Sequence, residues 1–206
     1  MGGRLERQRE SERVVESRLD RARVHASSGE SPASVVAAVM ARLEERGPRD
    51  ALALLNARTR FRFTGIYRAE PPLLRNIFLV DRENPAVNVS GAVCPLDETY
   101  CALTCAREAA FATRDAPRDA RLVAHPARDS VISYSGVPLR LHDGHAWGTL
   151  CHFDLRPRLL PRAEQAVLEM AAPLFVRWLA ERGDLRAAGE VNVPPAPTSP
   201  PRSGGR

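Results

Sequence analysis

The stretch that most limits the folds open to this chain is VISYSGVPLRLHDGHAWGTLCHFDL, Val131 to Leu155. Two runs, Val131–Leu141 and Ala146–Leu155, are rich in Val, Ile, Tyr, Trp and Phe and alternate with period two, the pattern of β-strands. In the first, Val131, Ser133, Ser135, Val137, Leu139 and Leu141 oppose Ile132, Tyr134, Gly136, Pro138 and Arg140. In the second, Trp147, Thr149, Cys151, Phe153 and Leu155 oppose Leu150, His152 and Asp154. Asp143-Gly144 lies between them, and glycine there allows the positive φ that a tight hairpin needs. A hairpin of this length is stable only inside a larger sheet with a layer packed on it.

The remaining chain supplies both. Ser31-Pro32 opens a helix, with Ser31 as N-cap and Pro32 at its first position. Val35, Val36, Val39, Met40 and Leu43 form its apolar stripe, and Gly47-Pro48 ends it. A second short helix is expected over Arg49–Ala57. Arg60–Arg68 reads as a strand, with Phe61, Phe63, Gly65 and Tyr67 on one face and Arg60, Arg62, Thr64 and Arg68 on the other. Glu70-Pro71-Pro72 turns it into a partner strand, Leu73–Val80. Glu83–Pro95 reads as irregular. Asp97 is the expected N-cap of a helix over Glu98–Glu108, followed by a short strand, Ala109–Thr113, and a polar loop, Asp115–Asp129. The last helix, Leu159–Arg182, carries Val167, Met170, Ala171, Leu174, Phe175, Trp178 and Leu179, with a bend expected at Ala171–Pro173 because Pro173 lacks the N–H of a helical bond.

Taken together, Gly136-Val137-Pro138-Leu139, Asp143-Gly144, Gly148-Thr149-Leu150 and the helix from Ala163 to Leu179 resemble the C-terminal half of a GAF domain. The aromatic and aliphatic strands around Phe63 and Leu73 resemble its first hairpin. The resemblance implies an α+β fold over residues 31–182: a central antiparallel sheet of five to six strands, flanked by helices on both faces. It leaves residues 1–30 as a charged, flexible leader and 183–206 as a disordered tail rich in Pro, Ala, Gly and Arg. It also implies a ligand pocket between the sheet, the helix at 98–108 and the loop at 115–129. The residues expected there are Tyr100, Cys101, Thr104, His125, Asp129, Tyr134 and His152.

Charge and composition narrow the function classes. The net charge is +5 and all 30 basic residues are arginine, yet they are spread among Asp and Glu instead of clustered, so a nucleic-acid partner is not expected. No apolar run reaches the ~20 residues of a membrane span. The N-terminus has no secretory core, and Glu6 stands where a myristoylation signal needs Ser or Thr, so the expected location is cytoplasmic. The cysteines, Cys94, Cys101, Cys105 and Cys151, are then expected as reduced thiols.

Chemistry-bearing patterns are sparse. Cys101 and Cys105 share a helix face, but zinc needs about two more ligands. Cys151 and His152 are adjacent on a strand and so face opposite ways. No phosphate-binding glycine motif is present, and Ser133, His125 and Asp129 show no nucleophile elbow. Within the family that the chain resembles, the free methionine sulfoxide reductases place one reactive cysteine near Cys101 or Cys105. They place another where Pro126–Ser130 falls, and no cysteine stands there. Bilin-binding members attach the pigment through a cysteine earlier in the chain than Cys151-His152, so neither bilin nor a haem held by His125 or His152 is expected; the cofactor is left unassigned. The reading that follows is a non-enzymatic sensing or signalling domain that binds a small molecule or a partner protein and acts through a helix-mediated homodimer. A thiol redox enzyme of the methionine sulfoxide reductase type and an interaction module without ligand are the alternatives.

Overall fold

The computed structural model describes residues 30–183 and 185. Among these, six strands form one antiparallel sheet: Phe63–Glu70 (β1), Leu73–Asp81 (β2), Val93–Pro95 (β3), Phe111–Thr113 (β4), Ser133–Arg140 (β5) and Ala146–Asp154 (β6). Their order across the sheet is β3-β2-β1-β6-β5-β4. The α-helices are Pro32–Arg46 (α1), Pro48–Ala57 (α2), Tyr100–Arg107 (α3) and Arg162–Glu181 (α4). The α+β architecture with helices on both faces is the one expected from the sequence. Most of the leader at 1–30 and the tail at 183–206 lie outside the described residues.

The central hairpin forms as its alternation requires. Tyr134 pairs with Phe153, Gly136 with Cys151 and Pro138 with Thr149. Gly144 takes φ 88°, and the Asp143 carboxylate accepts a hydrogen bond from the His145 amide at 3.0 Å. β1 then pairs with β6, placing Gly65 opposite Cys151 and Tyr67 opposite Thr149.

The sheet separates two cores. On one face α1, α2 and α4 pack Val35, Val39, Leu43, Leu52, Leu55, Leu168, Ala171, Phe175 and Leu179 against Ile66, Val137, Leu139 and Leu150. Each large side chain buried there contributes roughly 1.5–3 kcal/mol, so this face supplies most of the stability. Ser31 caps α1 by accepting from the Ser34 amide at 3.2 Å, and Gly47, at φ 85°, lets the chain turn directly into α2. Arg58 grips Glu164 with two hydrogen bonds, 3.0 and 2.9 Å, tying the end of α2 to the start of α4. The opposite face carries only α3 and four short 3-10 turns, Leu96–Glu98, Ala116–Arg118, Ala120–Leu122 and Pro126–Asp129. Leu74, Tyr100, Cys101, Phe111, Leu122, Tyr134 and Cys151 form the smaller core beneath them.

Several expectations are corrected. Asp97 caps no helix: Leu96–Glu98 is a 3-10 turn, Thr99 is extended, and α3 begins only at Tyr100. The segment read as irregular ends in β3, an exposed three-residue edge strand too short to show a period. Phe61 precedes β1, and its ring stacks on His152 on the helix-covered face, while Phe63 and Tyr67 face the other way. Thr64, on the face opposite Phe63 and Tyr67, is fully buried. A register shift at Leu139/Arg140 places Trp147 with the helix-side core instead of with Thr149 and Cys151. α4 runs through Pro173 without a break. Pro173 and Glu169, the residue whose carbonyl loses its helical donor, both lie on the exposed side of the helix. Among the described residues no helix is long and apolar enough to cross a membrane.

Candidate functional site

The less-covered face of the sheet holds a cavity of about 170 Å³. β1 and β2 contribute Tyr67 and Leu74, β5 and β6 contribute Tyr134, Cys151 and Phe153, and α3 contributes Tyr100 and Cys101. Ala127, Ser130 and Val131 close one side; Cys94, Glu98 and Thr99 form another. All three tyrosines of the chain and three of its four cysteines therefore border one small space. Cys94 and Glu98 are exposed, so the cavity reaches the surface at their end. A larger groove of about 540 Å³ lies outside, between β5 and α4, but its walls at Val137, Pro138, Ala172, Pro173 and Val176 bring together no thiol, phenol or buried charge.

Local sequence explains how these groups converge. Thr149, Cys151 and Phe153 share a face of β6, and Tyr134 on β5 lies along its own strand over Gly136. A Cβ at Gly136 would come within 2.5 Å of the Tyr134 ring, so glycine makes room for the phenol. Tyr134 Oη reaches Thr104 Oγ1 at 3.1 Å and donates to Cys101 Sγ at 3.6 Å. Thr149 Oγ1 donates to the same sulfur at 3.1 Å. Cys151 borders the cavity together with Cys101 and packs in the same small core.

These contacts set the protonation order. Cys101 is held below the ordinary thiol range, first by the hydrogen bond from Cys151 and then, against burial, by those from Thr149 and Tyr134. Cys151 is pushed well above it by burial and by its bond to Cys101. The first proton to leave the pair therefore comes from Cys101. Burial raises Tyr67 and Tyr134 far above the usual phenol range and lifts Tyr100 to about 12. Cys105 lines no part of the cavity, and burial pushes its thiol up to about 12.

Of the seven residues expected at the site, Tyr100, Cys101 and Tyr134 border the cavity. Thr104 sits behind them, fully buried, bonded to Tyr134 and to the Tyr100 carbonyl. His125 supports Tyr100 from outside: its ring stacks at 4.6 Å, and Nδ1 accepts from the Ala127 amide at 3.2 Å. Burial holds it below the ordinary histidine range, opposed by a hydrogen bond to the Thr99 backbone. Asp129 points to solvent beside Arg128. His152 is on the wrong face: it is buried under the helices, 2.7 Å from Thr64 Oγ1, and held at about 3 by burial and by Arg82. It therefore meets no ligand or haem in this cavity. Tyr67, Leu74, Cys94, Cys151 and Phe153 were not anticipated; for Cys151 and Phe153 the signal was their alternation with Thr149. Among the described residues no cluster of three or more His, Cys, Asp or Glu side chains is placed to hold a metal ion.

The GAF domain family profile matches residues 33–176. No curated protein matches the chain by sequence. The GAF domain of a phosphoenolpyruvate-protein phosphotransferase from Acinetobacter is similar in structure, with a TM-score of 0.60 and 14% identity over 75% of this chain and 95% of that one. The free methionine-R-sulfoxide reductase of Neisseria meningitidis, solved with its substrate, gives 0.57 and 17% over 74% and 90%. The type II enzyme of Thermoplasma acidophilum gives 0.51 and 17% over 71% and 96%. At these identities the likeness is one of fold.

Proposed function

The chain belongs to the GAF domain family, and from that premise we propose that it is a sensing module whose ligand is a compact, uncharged molecule held against Tyr67, Tyr100, Cys101 and Tyr134. The observation that carries the reading is the cavity's lining. Phenols, thiols and apolar walls surround it, and Glu98 at the exposed end is the one acidic or basic side chain among its lining residues. A charged ligand entering such walls loses hydration without gaining a counter-ion, which costs several kcal/mol. At about 170 Å³ the space lies below the ~300–1,000 Å³ of drug-sized sites, which favours a small metabolite. The buried Tyr100 hydroxyl has no protein partner and remains free for a polar group or water.

The signal passes to a partner protein in the cytoplasm, through a homodimer built on α1 and α4. Met40 and Met170, on the outer faces of those helices, are 37% and 45% exposed, which supports that surface. Residues 31–182 act as the sensing unit between a leader and a tail.

Native mass spectrometry of the full chain purified from its own host tests the proposal. A non-covalent adduct of low mass is expected, with its occupancy reduced in Tyr134→Phe. A clean unliganded mass, unchanged after incubation with host metabolite extract, refutes it. The thiol-enzyme alternative draws on one observation, that Cys101 borders the cavity, but the loop at Pro126–Asp129 offers no cysteine to resolve an oxidised Cys101 as in the reductase pattern. Turnover of free methionine sulfoxide that vanishes in Cys101→Ser would favour it.

A further inference from the structure

We propose that Cys101 and Cys151 form an oxidisable dithiol that closes to a disulfide across the cavity when a hydroperoxide enters it. The inference does not rest on the sensing reading, since the cavity need hold no resident ligand.

The geometry supplies each requirement. Cys101 is the second residue of α3 and Cys151 lies on the central strand β6, fifty positions later, yet both border the same space and belong to the same small core. The Cys101 sulfur is 3.1 Å from Thr149 Oγ1, which shares a strand face with Cys151. A thiolate is the nucleophile in peroxide reactions, and donors around sulfur favour it. Here Thr149 and Tyr134 both donate to Cys101. The first turn of α3 adds its amide dipoles on the same side. The oxidant enters at the exposed end beside Cys94 and Glu98. Cys105 competes poorly, because it lies away from the cavity and its thiol stays protonated.

The chemistry balances without a metal. The Cys101 thiolate attacks the outer oxygen of the hydroperoxide and the O–O bond breaks. Cys101 becomes a sulfenic acid, and an alcohol leaves with the proton. The Cys151 thiol then attacks the Cys101 sulfur. The S–O bond breaks, water leaves with the Cys151 proton, and the S–S bond forms. Two thiols lose two electrons; the hydroperoxide is reduced to alcohol and water. A disulfide holds its Cα atoms ~4.4–6.8 Å apart, so the product pins α3 to β6 and removes the thiolate that Thr149 and Tyr134 support. The lining of the cavity changes with the redox state.

The test uses the full chain, first reduced, then exposed to stoichiometric hydrogen peroxide, denatured and alkylated. The expected result is loss of two of the four alkylation adducts, with a linked peptide joining Cys101 to Cys151 that dithiothreitol releases. Cys105→Ser behaves as the wild type. Cys151→Ala instead accumulates a dimedone-reactive sulfenic acid on Cys101. If that variant fails to fold, the wild-type peptide map decides alone. Four intact thiols, a Cys101–Cys94 or Cys101–Cys105 link, or a link between chains overturns the proposal. A ligand found by native mass spectrometry leaves this outcome untouched, and a failed oxidation leaves the sensing reading untouched.

Discussion

Gly136→Ala joins the sequence motif, the core and the cavity in one perturbation. Gly136 belongs to the Gly-Val-Pro-Leu run that marks the central hairpin. An added methyl would stand 2.5 Å from Tyr134 Cζ and 2.8 Å from Cε1, and closer still to the hydroxyl. Those are ring atoms wedged between Tyr100, Phe111 and the sheet, so the phenol must leave its place. Overpacking of this kind costs ~1–3 kcal/mol. Losing the Tyr134 hydrogen bonds to Thr104 and Cys101 adds about 1 kcal/mol each. The expected total is about 3–5 kcal/mol, which lowers Tm by roughly 10 °C or more for a chain of this size. Urea denaturation of the single and double variants measures it. Tyr134→Ala alone should cost about 4 kcal/mol, the usual loss for a buried aromatic ring. In that background Gly136→Ala should cost less than about 1 kcal/mol, because the clashing ring has gone, giving a coupling of about 2–4 kcal/mol. Equal costs of Gly136→Ala in both backgrounds, or a cost under about 0.5 kcal/mol in the wild type, refute the reasoning.

Three other outcomes follow from the same geometry. Glu164→Ala leaves Arg58 with only the exposed Glu30 and loses about 2 kcal/mol, below the ~3–5 kcal/mol of a fully buried pair because Arg58 remains partly solvated; urea midpoints check it. His152 is neutral when folded, with its pKa at about 3 against about 6.5 unfolded, so the unfolded chain binds the extra proton as pH falls. Its contribution is complete above about pH 6.5 and declines by at most ~1.4 kcal/mol per pH unit towards pH 3; denaturation curves from pH 7 to 4 should flatten in His152→Asn. Thr149→Val keeps the shape of the strand but removes a donor to Cys101, so peroxide oxidation should slow about tenfold, equivalent to ~1.4 kcal/mol of lost thiolate stabilisation; timed alkylation reads the rate, and an unchanged rate counts against the dithiol.

The fold was legible where a repeat was long enough to show. Ser133–Arg140 and Ala146–Asp154 carry eight and nine residues of alternation, and α4 carries twenty residues of helical spacing. β3 has three residues, and Leu96–Glu98 a single turn, so neither displays a period. The site was legible in part. Tyr100, Cys101 and Tyr134 were reached through the family resemblance, which implies a pocket between the sheet and the helix that carries the first two. Cys151 and His152 show what alternation can and cannot do: it puts them on opposite faces, but it does not say which face is covered by helices. Asp129 and His125 fall in a loop whose side-chain directions depend on Ala116, Leu122 and Ala127 being drawn into the core, a tertiary effect without a local pattern.

The unequal covering of the sheet explains why chemistry gathers on one side. α1, α2 and α4 bring long aliphatic stripes to the first face, and Val39, Leu168 and Phe175 are fully buried beneath them. The second face receives α3, eight residues long, and four short turns that together present few large side chains. Such a layer cannot fill the space at the density of a packed interior, so Tyr67, Tyr100 and Tyr134 span the gap with rings whose hydroxyls need partners. Tyr134 finds Thr104 and Cys101, and Tyr100 finds no protein partner. An incompletely covered face that recruits phenols and thiols is both a cavity and a reactive surface. Lengthening α3 by one apolar turn would seal the first role and abolish the second.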